Sequence, residues 1–239
     1  MTYENNINIF KFDNVSIKIG NTNQFYIAYN NSDTWMQCIN TVKKRKWFKA
    51  IRFNNMFIVI APNAVAYSSS GKLWLEAKLN TKQPLDMIDI ACTKNACVII
   101  NKDTNILLRS INGIDWEEIE LKMNHHFLCS VEGYQDTFVI STMSGQIIYV
   151  SNDNGKTWKE TQVSPYPYMY RKVFSTKNGF VMFSYEVISI YRSTNGYNWK
   201  SERLTEIPAM SLIESIDVID DKLYLITRSA KERKETMIL

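Results

Sequence analysis

Ser151-Asn152-Asp153-Asn154-Gly155-Lys156-Thr157-Trp158 is the stretch on which the rest of the chain is patterned. It reads as a tight turn running into a strand. An aspartate at its third position is suited to accept hydrogen bonds from backbone N–H groups a few residues on. Gly155 can take the positive φ that other residues resist. Trp158 then supplies an aromatic side chain large enough to be tucked under the turn. Four imperfect echoes follow the same order: Ser193 to Trp199, Ser110 to Trp116, Ser68 to Trp74 and, with Ser32 in place of glycine, Tyr29 to Trp35. Their tryptophans stand at 35, 74, 116, 158 and 199, in steps of 39, 42, 42 and 41 residues. A period of roughly 40–45 residues with strand content is what successive blades of a propeller produce.

The Ser-x-Asp-x-Gly-x-Thr-Trp pattern resembles the Asp-box (BNR) repeat of sialidases and many other β-propellers. Only Ser151 to Trp158 matches it in full. In that family the motif is structural, joining the third and fourth strands of a blade away from the usual ligand face. The resemblance therefore implies a fold rather than a chemistry. Sialidases also carry an Arg-Ile-Pro element near the N-terminus and a three-arginine clamp, and this chain has no such element. What is implied is a sialidase-like fold without the sialidase catalytic motif.

Between tryptophans the grammar repeats. Runs of about six residues rich in Val, Ile, Phe and Tyr are divided by Asn, Asp, Gly and Lys turns, which is the signal of short strands. Phe48–Phe53, Met56–Ile60 and Ala64–Ser68 precede Trp74. Met87–Cys92, Ala96–Ile100 and Ile106–Ser110 precede Trp116. No segment holds a sustained 3.6-residue period, so helix is expected to be sparse. After Trp199, Ile213–Val218, Lys222–Arg228 and Glu235–Leu239 read as three strands of a further blade. The expectation is an all-β, six-bladed β-propeller of about 41-residue four-stranded blades, residues 1–239 forming one domain. A five-bladed ring with a C-terminal extension is the competing count.

The bulk properties set limits. A hydrophobic content of 45% supports a packed core. The net charge of +4 is too mild to imply nucleic acid as a partner. The N-terminal residues lack the basic and apolar regions of a secretory signal, and no apolar run is long enough for a membrane span. The expected location is the cytoplasm or an assembled particle such as a phage. Cys38, Cys92, Cys97 and Cys129 lack zinc-site spacing and read as small buried thiols. A Cys92–Cys97 bridge across one hairpin is disfavoured without a secretory signal. No cofactor or metal is expected.

In four-stranded antiparallel blades, the loops between blades share an end with the loops joining second and third strands. These inter-blade loops differ from one another. The first holds Lys43, Lys44, Arg45, Lys46 and Trp47, with Trp47 assigned to the core. The third holds His125 beside His126, and the fourth holds Tyr166, Tyr168 and Arg171. Aromatics and cations of this kind suit sugars or anionic groups, since rings stack on sugar faces and cations meet carboxylate or phosphate. The leading expectation is a non-catalytic module binding a glycan or other anionic surface ligand through Lys43, Lys44, Arg45, Lys46, His125, Tyr166, Tyr168 and Arg171. The alternatives are a protein-interaction scaffold or assembly subunit, and a divergent glycoside hydrolase. Against the last, no pair of carboxylates is singled out by spacing, and catalysis is not expected.

Overall fold

The computed structural model describes residues 8–20, 23–79, 81–102, 104–122, 127–143, 145–163, 172–184, 189–204, 212–219, 222–228 and 233–237. Among them there are strands and turns and no helix. The chain packs as two compact units, Met1–Lys122 and Met123–Leu239.

The first unit holds three sheets. β1 (Asn8–Phe12), β2 (Val15–Ile19), β3 (Phe25–Tyr29) and β4 (Met36–Gln37) form an antiparallel meander in chain order. β5 (Ile39–Asn40), β6 (Lys49–Phe53), β7 (Met56–Ala61), β8 (Ala64–Ser68) and β9 (Leu73–Glu76) form the second. Its order is β5-β9-β8-β7-β6, and β5 runs parallel to β9 with Ile39 opposite Leu73. β10 (Met87–Cys92), β11 (Cys97–Asn101), β12 (Ile106–Ser110) and β13 (Glu117–Glu120) form the third.

The second unit repeats the plan. β14 (Leu128–Tyr134), β15 (Thr137–Thr142), β16 (Ile147–Ser151) and β17 (Lys159–Gln162) make one meander. β18 (Val173–Thr176), β19 (Gly179–Ser184), β20 (Ser189–Ser193) and β21 (Lys200–Arg203) make another. β22 (Leu212–Ile219), β23 (Lys222–Arg228) and β24 (Arg233–Met237) complete it as a three-stranded sheet. The strands fall where the sequence placed them, shifted by a few residues at their ends. The one element without a sequence signal is β5, a two-residue parallel contact too short to show any period.

Second strands read as unbroken apolar runs because both of their faces are covered. In β7, Phe57 and Val59 pack with Ile17, Ile27 and Trp74 on one side, while Ile58 and Ile60 pack with Ile90, Ile99 and Trp116 on the other. β19 divides in the same way, Phe180 and Met182 joining Val139 and Val150, Val181 and Phe183 joining Leu223 and Leu225. Each such side chain contributes about 1.5–3 kcal/mol on leaving water. Inter-sheet burial is thus the main support of each unit.

Two sequence expectations change here. Cys92 and Cys97 are joined in a disulfide, which the buried-thiol reading had set aside. The reason is register: the two residues are direct partners across the β10–β11 hairpin. Cys38 does behave as a buried thiol, and burial pushes it up to about 11. Trp158 is only partly buried, whereas Trp74 is fully enclosed. The full match to the repeat is therefore not the most buried tryptophan.

Candidate functional site

Antiparallel order gives each four-stranded sheet two kinds of end. One carries the turn between third and fourth strands, the other the turn between second and third strands with the loops linking sheet to sheet.

At the first end the repeated turn is a clasp. Gly71, Gly113, Gly155 and Gly196 N–H groups donate to the hydroxyls of Ser68, Ser110, Ser151 and Ser193 at 2.8–2.9 Å. Asp153 Oδ1 accepts from Lys156 N and Thr157 N, and Thr157 Oγ1 donates to Oδ2. Asn112 and Asn195 make the equivalent bonds with their amide oxygens. The indole N–H of Trp74, Trp158 and Trp199 closes the turn on the carbonyls of Gly71, Gly155 and Gly196 at 2.8–3.0 Å. Gly113 and Gly196 have φ of 76° and 78°, and a Cβ there would sit 2.8 Å from Ile58 Cδ1 and 2.9 Å from Val139 and Val150 methyls. Glycine is needed for backbone conformation and for close approach of the neighbouring sheet. Burial pushes the Asp153 carboxyl up, but its bonds from Thr157, Ser151 and Lys156 outweigh this and hold it below the usual range. Apart from the Trp116 indole N–H, which is buried without a partner, these polar groups spend their bonds on each other, so the clasp has little left with which to read a ligand.

The Trp35 turn differs. Asn30 and Asn31 both take φ of 55°, a conformation that asparagine tolerates better than most residues. Trp35 lies beneath Lys18, with Nζ 4.5 Å from its ring centroid. This turn has no glycine clasp.

The opposite end is where loops diverge. In the first unit the loop after β5 carries Lys43, Lys44, Arg45 and Lys46. Arg45 is drawn inward: Nη2 meets Glu76 Oε1 at 2.8 Å and Nη1 donates to Asn63 Oδ1 at 3.1 Å. Glu76 Oε2 also accepts from the Lys43 backbone N–H at 3.1 Å. Burial acts to raise the Glu76 carboxyl, but these bonds and the nearby charges of Arg45 and Lys43 bring it below its ordinary value. Trp47 is in the core as expected, 2% exposed, with Nε1 donating to Asn23 Oδ1 at 2.6 Å. Lys43, Lys44 and Lys46 remain exposed, and among the described residues no carboxylate side chain pairs with them. Farther in, Lys49 pairs with Asp89, which sits just past a β-bulge in β10.

In the second unit a matching bulge lies between Leu128 and Ser130 of β14. Bulges of this kind re-aim side chains at strand ends. Here Ser130 Oγ meets Ser141 Oγ at 2.9 Å and accepts from Val173 N at 2.9 Å. At the open end of the β14–β15 hairpin Met143 N donates to Phe127 O at 2.8 Å. Phe127 and Met143 are 54% and 47% exposed there.

Of the residues singled out by sequence, Lys43, Lys44 and Lys46 stand free at a loop end and Arg45 serves the fold. His125, Tyr166, Tyr168 and Arg171 lie outside the described residues. Sequence reasoning missed Glu76, Asn63, Phe127 and Met143. Glu76 had a signal: glutamate recurs two residues after the tryptophan at Glu118 and Glu160, and Glu118 likewise accepts a loop N–H, from Lys82. Arg109 and Arg192, at the clasp ends of their strands, pair with Glu117 and Glu202 across neighbouring strands.

No protein-family model and no curated protein matches the chain. Solved structures do match in shape. YCF48 from Cyanidioschyzon merolae superposes with a TM-score of 0.66 at 11% identity, over 95% of this chain and 81% of that one. YCF48 bound to D1 peptide gives 0.65 at 12% identity, over 95% and 77%. An inactive variant of virginiamycin B lyase from Staphylococcus aureus, with quinupristin, gives 0.72 at 10% identity, over 98% and 85%. At such identities the likeness shows the fold alone. The fold is that of a β-propeller. One expectation is overturned by the last of these: the sequence reading excluded an enzyme, yet this architecture is shared with a lyase. The lack of a visible catalytic motif does not make the fold a non-enzymatic one.

Proposed function

We propose that this chain is a protein-binding propeller, an interaction module that takes a segment of another protein on its loop ends. The observation that carries the reading is the contrast between strand ends. The clasp ends satisfy most of their polar groups internally, the buried Trp116 indole N–H being the exception, while the loop ends leave Lys44 and Lys46 of the first unit, and Phe127 beside Met143 of the second, open to water. Exposed aromatic and methionine side chains, as at Phe127 and Met143 of the second unit, are enriched in protein interfaces, and the exposed lysines of the first unit offer charge to an acidic partner. That YCF48 has been seen with a peptide supports the reading by analogy of fold. Nothing in the geometry favours a glycan on this surface, and the sugar-binding expectation is set aside in favour of a protein. The same reading takes the six sheets as blades of one propeller domain and the four clasps as Asp boxes.

The test is affinity capture from the source cells, comparing the parent with Lys44→Glu/Lys46→Glu and with Phe127→Ser/Met143→Ser. One defined protein retained by the parent, lost by Phe127→Ser/Met143→Ser and weakened by Lys44→Glu/Lys46→Glu, with melting temperatures unchanged, is the expected result. Retention that ignores both variants, or specific retention on a glycan array instead, would overturn the proposal.

A further inference from the structure

The repeat makes every position after a clasp comparable with its counterparts, and one sheet breaks the rule. On the outer strands the tryptophan points inward while its two neighbours point to solvent. Those neighbours are Asp115 and Glu117 on the third sheet, Thr157 and Lys159 on the fourth, and Asn198 and Lys200 on the fifth, all exposed. Charged and polar residues at such positions guard an outer strand against unwanted association. On the second sheet the same two positions are Leu73 and Leu75, 45% and 36% exposed around a fully buried Trp74. Ile39, 71% exposed, lies opposite Leu73 on β5. Because parallel partners share a face, and residues two apart on a strand do too, Ile39, Leu73 and Leu75 form one apolar stripe on the rim of the first unit.

Its electrostatic surroundings specify what would cover it. From Thr34 to Leu75 the chain has seven Lys and Arg residues and no Asp or Glu; Arg45, Lys49 and Arg52 are spent on ion pairs with Glu76, Asp89 and Asp13, so the stripe's charge comes from Lys72 and the loop lysines. Lys72 precedes Leu73, and exposed Lys43 and Lys44 lie at the other end of β9, beside Glu76. That carboxylate is already engaged by Arg45. Two copies of the chain meeting stripe to stripe would set these cations against each other, so self-association is opposed by charge. A partner with leucine-like side chains flanked by Asp or Glu satisfies both the apolar and the cationic parts.

We infer that the rim stripe Ile39–Leu73–Leu75 is a docking surface for an extended acidic protein segment with alternating apolar residues. The inference deepens the protein-binding reading and rests on it, while adding a contact on the first unit to that at Phe127 and Met143 of the second.

The test uses a fluorescein-labelled synthetic peptide alternating Glu with Val and Leu, and a counterpart in which every Glu is Lys, followed by anisotropy at low and high salt. The variants transplant residues that the same fold position already holds elsewhere: Leu73→Asn/Leu75→Lys and Leu73→Asp/Leu75→Glu. The parent should bind the acidic peptide at least about tenfold more tightly than its lysine counterpart, with affinity falling as salt rises. Both variants should lose about tenfold, the Asn/Lys one showing that apolar contact matters beyond charge. Equal binding by the parent and the Asn/Lys variant overturns the stripe. So does a dimer in sedimentation that this variant dissolves, or adsorption to phosphatidylserine vesicles that it abolishes, since the occupant is then a second copy or a membrane. Loss of the captured cell protein in Phe127→Ser/Met143→Ser, with full retention in the Leu73/Leu75 variants, would defeat this inference and leave the broader reading standing. Absence of any captured protein would defeat the broader reading itself.

Discussion

The turn at Ser151–Trp158 and the loop at Lys43–Trp47 are built on opposite rules. The turn is a closed system in which the serine, aspartate, glycine and tryptophan answer one another's hydrogen bonds, and its plan recurs at Ser68, Ser110 and Ser193. The loop secures itself with Arg45 and Trp47 and leaves Lys43, Lys44 and Lys46 to solvent. Where a repeat preserves a bond pattern, the pattern holds the fold. Where it abandons the pattern, the chain is free to specify a partner.

Breaking the clasp should therefore cost stability, and breaking the loop should cost binding. The largest effect is expected at Trp74→Ala, which empties a fully buried site and strips the Gly71 carbonyl of its indole donor, leaving it the weaker Cys38 thiol. A loss of about 3–5 kcal/mol in urea unfolding is expected there, while Trp35→Ala, at the unclasped turn, should stay within about 1 kcal/mol of the parent. Gly196→Ala comes next. It forces a Cβ against Val139 and Val150 at positive φ, for about 1–3 kcal/mol. Ser151→Ala follows, at about 1–2 kcal/mol, because Gly155 N–H loses its buried acceptor.

A smaller, pH-dependent effect belongs to Asp153. Its carboxyl lies below its unfolded value near 3.8, so its contribution is complete above that pH and is lost as pH falls through the lower folded value. In acid unfolding at about pH 2–4, Asp153→Asn should flatten the decline relative to the parent. Smallest of all is Lys44→Ala/Lys46→Ala, which should move stability by less than about 0.5 kcal/mol.

Much of the fold was legible because each blade repeats a local solution. The tryptophan spacing and the Gly-Trp pairing carry across the chain, and apolar runs such as Phe57–Ala61 reveal strands covered on both faces. What escaped depends on contacts distant in sequence. Arg45 looked like a ligand-binding cation, yet its partner is 31 residues away on β9. Cys92 and Cys97 looked like separate thiols until the hairpin register set them opposite each other. Phe127 and Met143 carried no motif; they lie just before β14 and just after β15, at the open end of that hairpin, where they stand exposed. Exclusion of an enzyme failed for a different reason: a missing motif describes one family's chemistry, and a propeller accommodates many.

The most direct test of the central claim measures stability and partner binding on the same preparations of Phe127→Ser/Met143→Ser and Ser151→Ala. The account predicts that the loop variant melts with the parent and loses its protein partner, whereas the clasp variant melts early and, below its transition, still binds. A loop variant that binds as well as the parent, or a folded clasp variant that has lost the partner, would contradict it.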